Sequence, residues 1–251
     1  VPQDLATCRD CLKEVSNPQD RRYRYAFTSC TRCGPRFTII RKLPYDRLHT
    51  TMSRFKLCLD CEREYRSPFD RRFHAETIAC PVCGPRLWFC DGKGRDVSGD
   101  PIALAVASLK REGILAIKGI GGFHLACDAA SGQAVRRLRA IKGRPSKPLA
   151  LMMRDLKEVR EFCITSGFEE EVLQGEARPI LLLRRREGVP IAKEVSPDSP
   201  ELGVMLPYTP LHHLLLSDFG GPLVLTSANL EGEPMTTDND EAKRLFSGRV
   251  D

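Results

Sequence analysis

Cys30-Thr31-Arg32-Cys33-Gly34-Pro35-Arg36 returns fifty residues later as Cys80-Pro81-Val82-Cys83-Gly84-Pro85-Arg86. The segment ahead of each copy repeats too, Asn17-Pro18-Gln19-Asp20-Arg21-Arg22-Tyr23 against Ser67-Pro68-Phe69-Asp70-Arg71-Arg72-Phe73. Self-similarity at a fixed period marks one supersecondary unit used twice. Each copy also carries an earlier Cys-x-x-Cys pair, Cys8/Cys11 and Cys58/Cys61, with eighteen residues between the two pairs of a copy. Such a turn offers two thiolates side by side, and a second turn brought alongside completes the tetrahedral sulfur shell that structural zinc prefers. Two structural zinc ions are expected, and with four sulfurs on each no open position remains for chemistry. The repeat favours sites within each half, Cys8/Cys11/Cys30/Cys33 and Cys58/Cys61/Cys80/Cys83. An interleaved arrangement, first pair with third and second with fourth, is the alternative. Disulfides are the other use of so many cysteines; the lack of a secretory signal or transmembrane run argues against them and for a reducing cytoplasm. With four cysteines available per unit, His49 and His74 read as surface or packed histidines.

At 251 residues and 41% apolar composition, the chain fits one large or two modest domains of ordinary soluble type, with nothing pointing to disorder or a coiled coil. The formal charge of +6 suggests nucleic acid until it is divided: residues 1–93 hold 18 Lys+Arg against 11 Asp+Glu, and the remainder 21 against 22. The basic excess sits in the cysteine module. Eight thiolates and two zinc ions would lower the formal charge to about +2, since a coordinating thiol is deprotonated. A nucleic-acid partner is therefore poorly supported. Arg21/Arg22 and Arg71/Arg72, at equivalent positions of the repeat, are expected to pair with nearby carboxylates.

Beyond Asp91-Gly92-Lys93-Gly94 the pattern changes to alternating helices and apolar strands. Asp100-Pro101 reads as an N-cap with proline in the first turn, Ile102, Ala105, Val106 and Leu109 share a face, and Gly113 closes the helix. A strand over 114–117, a glycine-rich turn at Gly119-Ile120-Gly121-Gly122, a strand over 123–127 and a helix from Ser131 carrying Val135, Leu138 and Ile141 follow. Segments 148–153, 180–183 and 222–225 read as buried strands, and 156–162, 210–218 and 239–246 as helices. This alternation predicts an α/β domain with a largely covered sheet, open to mixed strand direction.

Three segments here are suited to chemistry. In Lys142-Gly143-Arg144-Pro145-Ser146-Lys147-Pro148, prolines stiffen a loop that presents three cations to an anionic ligand at low entropic cost; complementing a helix dipole is the plainer use of such cations. Thr226-Ser227-Ala228-Asn229 places small polar groups at a strand's carboxyl end, where open α/β sheets make ligand contacts, although the same residues also make plain turns. The Gly119–Gly122 turn would let a ligand approach the backbone closely, but it lacks a dinucleotide fingerprint's spacing and following helix.

Together these motifs resemble the HypF carbamoyltransferase family over almost the whole chain. The duplicated knuckles with their Pro-x-Asp-Arg-Arg and Cys-x-x-Cys-Gly-Pro-Arg phrases resemble its zinc-finger region. The second half resembles its YrdC-like domain through Lys142–Ala150, through Thr226-Ser227-Ala228-Asn229-Leu230-Glu231-Gly232-Glu233-Pro234 and, more loosely, through Leu206-Pro207-Tyr208-Thr209-Pro210-Leu211. The resemblance implies a tandem four-cysteine zinc module over 1–93 (sites within 8–33 and 58–83) followed by a YrdC-like open twisted α/β domain over 99–251, truncated at its C-terminus. It further implies a cytoplasmic enzyme of nickel-iron hydrogenase maturation, which uses carbamoyl phosphate and ATP to make a carbamoyl-adenylate and passes the carbamoyl group to HypE.

By the same resemblance, adenylation calls for cations on the phosphate oxygens and in-line placement of a carbamate oxygen at the α-phosphorus. Lys142 and Arg144 would be the catalytic cations. Lys118, Lys147, Ser227 and Asn229 would bind the nucleotide or the carbamate, with magnesium on the phosphates. Related tRNA-modifying enzymes carry Pro-Thr-[Glu/Asp]-Thr-x-Tyr-Gly-Leu where this chain has Lys118-Gly119-Ile120-Gly121-Gly122-Phe123-His124-Leu125; the loss of hydroxyls fits a small carbamate. His124 is either a ligand contact or a packed histidine, and Lys118 either a phosphate contact or a solvated lysine. A threonylcarbamoyl-adenylate or RNA-binding protein is the alternative function. The family's acylphosphatase-like and carbamoyl-transfer domains are missing here, so a fragment incapable of the complete reaction is expected, with no membrane partner. Cys90, Cys127 and Cys163 read as buried small apolar residues, and Tyr208 with His212/His213 as a helix start and its face.

Overall fold

A computed structural model describes residues 2–229 and 233–251. The chain divides into two compact units, residues 1–87 with 208–214 and residues 88–207 with 215–251.

In the first unit the duplication persists down to backbone conformation. Helices α1 (Arg9–Ser16) and α2 (Leu59–Arg66) lie fifty residues apart, each beginning directly after the first cysteine of its knuckle. Neither has an apolar stripe of ordinary width, because the buried residues are Cys11 and Val15 in one and Cys61 in the other. Short helices gain stability chiefly from tertiary contacts, and here the contact includes the buried knuckle thiol, Cys11 or Cys61. The chain then turns back through a left-handed residue, Arg24 (φ 54°) or His74 (φ 51°), whose N–H donates to Val15 O at 2.9 Å or Tyr65 O at 3.0 Å. The repeats pack on each other: Tyr25 donates to Pro85 O at 3.0 Å, and a Cβ on Gly84 would stand 2.1 Å from that hydroxyl. Arg47 is buried and donates to the carbonyls of Glu76, Ile78 and Phe55, tying the intervening 3-10 turns to the second repeat.

The second unit opens with a two-stranded ribbon, β1 (Phe89–Cys90) and β2 (Asp96–Val97), and helix α3 (Pro101–Lys110), capped by Asp100 accepting from Ala103 N at 2.8 Å. Then come β3 (Leu115–Lys118), β4 (Phe123–Asp128), α4 (Gly132–Lys142), β5 (Ala150–Met152), α5 (Leu156–Phe162), β6 (Cys163–Ile164), α6 (Gly167–Gln174), β7 (Leu181–Arg185), β8 (Glu201–Met205), α7 (Pro210–Phe219, of which 210–214 fall in the first unit), β9 (Leu223–Ser227) and α8 (Asn239–Phe246). The seven-stranded sheet has the order β3-β4-β9-β5-β8-β7-β6. Only β5 and β8 run parallel; the other five neighbouring pairs are antiparallel. Leu125, Leu138, Leu151, Val204 and Val224 are fully buried in one core, so the mixed, covered α/β sheet expected from the sequence is present.

Besides α1, α2 and the β1–β2 ribbon, strand β8, helix α6 and strand β6 were not foreseen. Strand β8 carries Glu201 and Gly203, which dilute its apolar signal; a Cβ at Gly203 would stand 3.3 Å from Ile180 Cγ2, a tight contact. Helix α6 has a visible start in Ser166-Gly167-Phe168-Glu169, whose capping box forms, and β6 is only two residues long. Cys127 and Cys163 are buried as expected. Cys90 corrects the expectation, being half-buried on an edge ribbon with its thiol donating to Asp96 Oδ1 at 3.1 Å. Thr209 Oγ1 accepts from His212 N at 3.2 Å at the start of α7, and His212 stacks edge-on to Tyr208. Among the described residues no helix is long and apolar enough to cross a membrane.

Candidate zinc centres and nucleotide site

The eight knuckle cysteines converge in two sets, Cys8/Cys11/Cys30/Cys33 and Cys58/Cys61/Cys80/Cys83, the within-repeat grouping that the duplication favoured. Four sulfurs placed tetrahedrally about 2.3 Å from an ion stand about 3.8 Å apart. The sulfurs of Cys8 and Cys30 lie 3.7 Å apart, Cys30 and Cys33 3.8 Å, Cys11 and Cys33 3.5 Å, Cys58 and Cys80 3.8 Å, and Cys80 and Cys83 3.7 Å. Both donor sets therefore fit a four-coordinate zinc ion and leave no position for substrate. His49 and His74 join neither set; His49 Nδ1 contacts Pro44 O at 2.8 Å, and His74 meets Phe73 edge-on and Tyr65 at a tilt.

The arginine pairs have a partner that spacing alone does not reveal: each serves the opposite repeat. Arg21 donates to Cys61 Sγ at 3.1 Å and pairs with Glu64 at 2.9 Å, while Arg71 donates to Cys11 Sγ at 3.2 Å and pairs with Glu14 at 2.8 Å. The neighbouring arginines are almost wholly buried. Arg22 joins Ala79 O (2.9 Å) to Glu64, and Arg72 joins Ser29 O (2.9 Å) to Glu14. Burial opposes ionisation of Glu14 and Glu64, yet the hydrogen bonds and charges of their arginine pairs win and hold both carboxyls below the usual range. Hydrogen bonds onto ligand sulfur spread the excess negative charge of a four-thiolate site and fix the orientation of its ligands.

In the second unit, the cationic loop and the strand-end cluster meet directly. Helix α4 ends on Gly143, whose left-handed φ of 65° allows Arg144 N to reach back to Arg139 O at 3.1 Å, a Schellman-type closure that launches the loop. Lys142, in the last turn, is 5% exposed and donates to Ser227 O, to Asn229 Oδ1 at 2.9 Å and to Asn229 O at 3.3 Å. These contacts engage all three of its N–H groups. Burial, then the charge of Arg144, push its amine down to about 8. Ser227 Oγ donates to Asn229 Oδ1 at 2.7 Å and Asn229 Nδ2 donates to Glu233 O at 2.7 Å. Arg144 is half-buried and Lys147 exposed on the loop that follows.

Pairing of β4 with β9 sets His124 opposite Ser227. Burial, then the charge of Lys142, push His124 below the usual imidazole range. Lys118 is exposed at the end of β3, donates to Asn239 Oδ1 at 2.6 Å and lies 5.3 Å over the Phe123 ring. The glycine turn is filled by the chain itself: a Cβ on Gly122 would stand 2.8 Å from Thr236 O. Close approach there therefore serves packing. Leu230, Glu231 and Gly232 of the strand-end phrase lie outside the described residues. The residue that sequence reasoning missed is Arg139, whose buried guanidinium holds the cationic loop by its carbonyls.

Comparison with known proteins agrees with this two-part organisation. The HypF finger model matches residues 7–40 and 57–90, and the Sua5/YciO/YrdC model, described as "Telomere recombination", matches residues 107–251. Carbamoyltransferase HypF of Rhodobacter capsulatus is 53% identical over 251 residues, all of this chain and 33% of that protein. The crystal structure of a full-length HypF in the phosphate- and nucleotide-bound form is 47% identical with a TM-score of 0.95, again over all of this chain and 33% of the other. The threonylcarbamoyl-AMP synthase of Bos taurus is more distant, 29% identical over 151 residues, 59% of this chain and 53% of that protein. The chain thus spans about a third of the length of the HypF relatives it matches. It belongs to the HypF family, with residues 107–251 forming a domain of the Sua5/YciO/YrdC type.

Proposed function

We propose that this chain is the zinc-stabilised adenylating part of a carbamoyltransferase. Its α/β domain binds ATP with magnesium. A carbamate oxygen attacks the α-phosphorus, pyrophosphate leaves with the electron pair of the broken P–O bond, and carbamoyl-adenylate remains. Carbamate would come from carbamoyl phosphate through an acylphosphatase-like domain of the whole protein, and the carbamoyl group would pass through a carbamoyl-transfer domain to HypE. The zinc module, residues 1–93, would be a scaffold with no chemistry of its own, and residues 99–251 the nucleotide domain.

The observation that carries the reading is the knot of Lys142 with Ser227 and Asn229, which brings the cationic loop to the carboxyl end of β9. Transfer at phosphorus is catalysed mainly by placement and by charge on the phosphate oxygens. Arg144 and Lys147 supply mobile positive charge there. Lys142 supplies a fixed one while ordering the turn that carries Ser227 and Asn229. The nucleotide-bound state of the HypF relative points the same way. A threonine-using reaction is disfavoured because Lys118–Leu125 offers glycines and Phe123 in place of side-chain hydroxyls.

The test is carbamoyl-phosphate-dependent pyrophosphate–ATP exchange on the full-length protein. Replacing Lys142 or Arg144 with alanine should lower exchange by two orders of magnitude or more, given that single preorganised charge contacts are worth about 100- to 1,000-fold. Exchange that persists in both variants, or that requires threonine, refutes the assignment.

A further inference from the structure

Arg139 lies three residues before Lys142 on α4 and is only 7% exposed. Its guanidinium donates to four backbone carbonyls: Nε to Glu194 O at 2.7 Å, Nη1 to Arg144 O at 2.8 Å and Lys147 O at 3.1 Å, and Nη2 to Val195 O at 3.3 Å. One rigid fork therefore grips the cationic loop at both of its cation-bearing residues and moors it to the 3-10 turn over Lys193–Val195. Among the described residues, the loop's other backbone anchors are the closing bonds of Gly143 and Arg144 onto α4. Pro145 and Pro148 lack N–H groups, residues 145–148 are exposed, and the next backbone anchor is Leu149 N on Val195 O at 3.0 Å.

A buried guanidinium is costly to desolvate, and a leucine or methionine would fill the same space without that cost. What only arginine supplies is a planar set of donors able to hold several acceptors at fixed angles. Two of the four acceptors here are the carbonyls of Arg144 and Lys147, whose side chains carry charge on the loop. We propose that Arg139 is a positioning residue for the nucleotide, setting the backbone from which Arg144 and Lys147 reach the phosphates without touching them itself. This rests on the reading of residues 142–147 as a phosphate site.

The test uses Arg139→Lys and Arg139→Gln in the zinc-loaded full-length protein, with two readouts. The first is amide hydrogen exchange over residues 143–149 without nucleotide. The second is the KM for ATP against kcat in pyrophosphate exchange. Lysine keeps the charge but not the fork, so loss of two of the four hydrogen bonds should speed local exchange and raise KM by about ten- to thirty-fold. β4 and β9 should keep their protection, and kcat should change less than KM. Unchanged protection over 143–149 overturns the proposal, as does a loosened loop with an unaltered KM. If Arg144→Ala is also silent in KM, the nucleotide-site reading itself fails, which separates the two outcomes. Failure of both Arg139 variants to fold would assign the residue to stability alone and likewise overturn the proposal.

Discussion

Replacing Glu14 with glutamine tests whether the two finger repeats hold each other together through their exchanged arginines. Arg72 is 3% exposed, its Nε is committed to Ser29 O, and both of its terminal nitrogens rest on Glu14. Removing one partner of a buried ion pair costs roughly 3–5 kcal/mol, because the remaining charge is left uncompensated. Two features place this site at the low end. Glutamine retains one acceptor oxygen, and Cys11 Sγ stays 3.2 Å from Arg71 and 4.0 Å from Arg72 to offset part of the positive charge. A loss of about 3 kcal/mol in a unit of this size lowers the melting temperature by roughly 12–24 °C. The assay is thermal unfolding of the zinc-loaded protein, followed together with zinc release to a chromogenic chelator, and the two should shift in step. Asp10→Asn is the control: it also removes an arginine's partner, but Arg32 is 69% exposed, so a change within about 1 kcal/mol is expected. Glu64→Gln should reproduce the Glu14 result through Arg22, which is 2% exposed. If Glu14→Gln melts together with Asp10→Asn, the exchanged arginines contribute nothing to cohesion and the reasoning fails.

Gly84→Ala should destabilise the same unit by about 1–3 kcal/mol or more, because its Cβ would stand 2.1 Å from the Tyr25 hydroxyl and 2.5 Å from Ala79 Cβ. Gly167→Ala, with nothing within 4 Å, should be near neutral in the same denaturation series. Metal analysis should return two zinc ions per chain. Timed alkylation read by mass spectrometry should label Cys90 before chelation and the eight knuckle cysteines only after it. The pH profile of kcat/KM for exchange, which reports the free enzyme, should show an alkaline limb near pH 8, where Lys142 loses its proton. Lys142→Arg should remove that limb if any activity remains. The sign for stability is opposite: a folded-state pKa of about 8, below the ordinary 10.5, means that the protonated amine is disfavoured in the native state. That penalty is present below pH 8 and is relieved as pH rises from 8 towards 10.5.

Local chemistry made several features of this protein readable in one dimension. The within-repeat sulfur sets follow from the fifty-residue period, because a duplicated segment folds as its twin does. The caps at Asp100 and Ser131 follow from single-residue preferences, and the buried strands β5 and β9 from runs of Leu, Val and Met; β7 was expected to be buried too, but Ile180 and Leu182 are exposed and it packs on the core by one face through Leu183. Helices α1 and α2 were not readable, since their burial runs through ligand cysteines and not through an apolar stripe. Strand β8 was hidden by Glu201 and Gly203. Other features depend on pairs far apart in the chain: Arg72 with Glu14 across 58 residues, Lys142 with Asn229 across 87, and Arg139 with Val195 across 56. A charged side chain carries no mark of the acceptor it will meet, so the sequence by itself determined which groups are capable of ligating, capping or pairing. Only the tertiary structure decided which of those groups are buried together, because the desolvation cost that forces each buried donor to find an acceptor arises only once packing has excluded water.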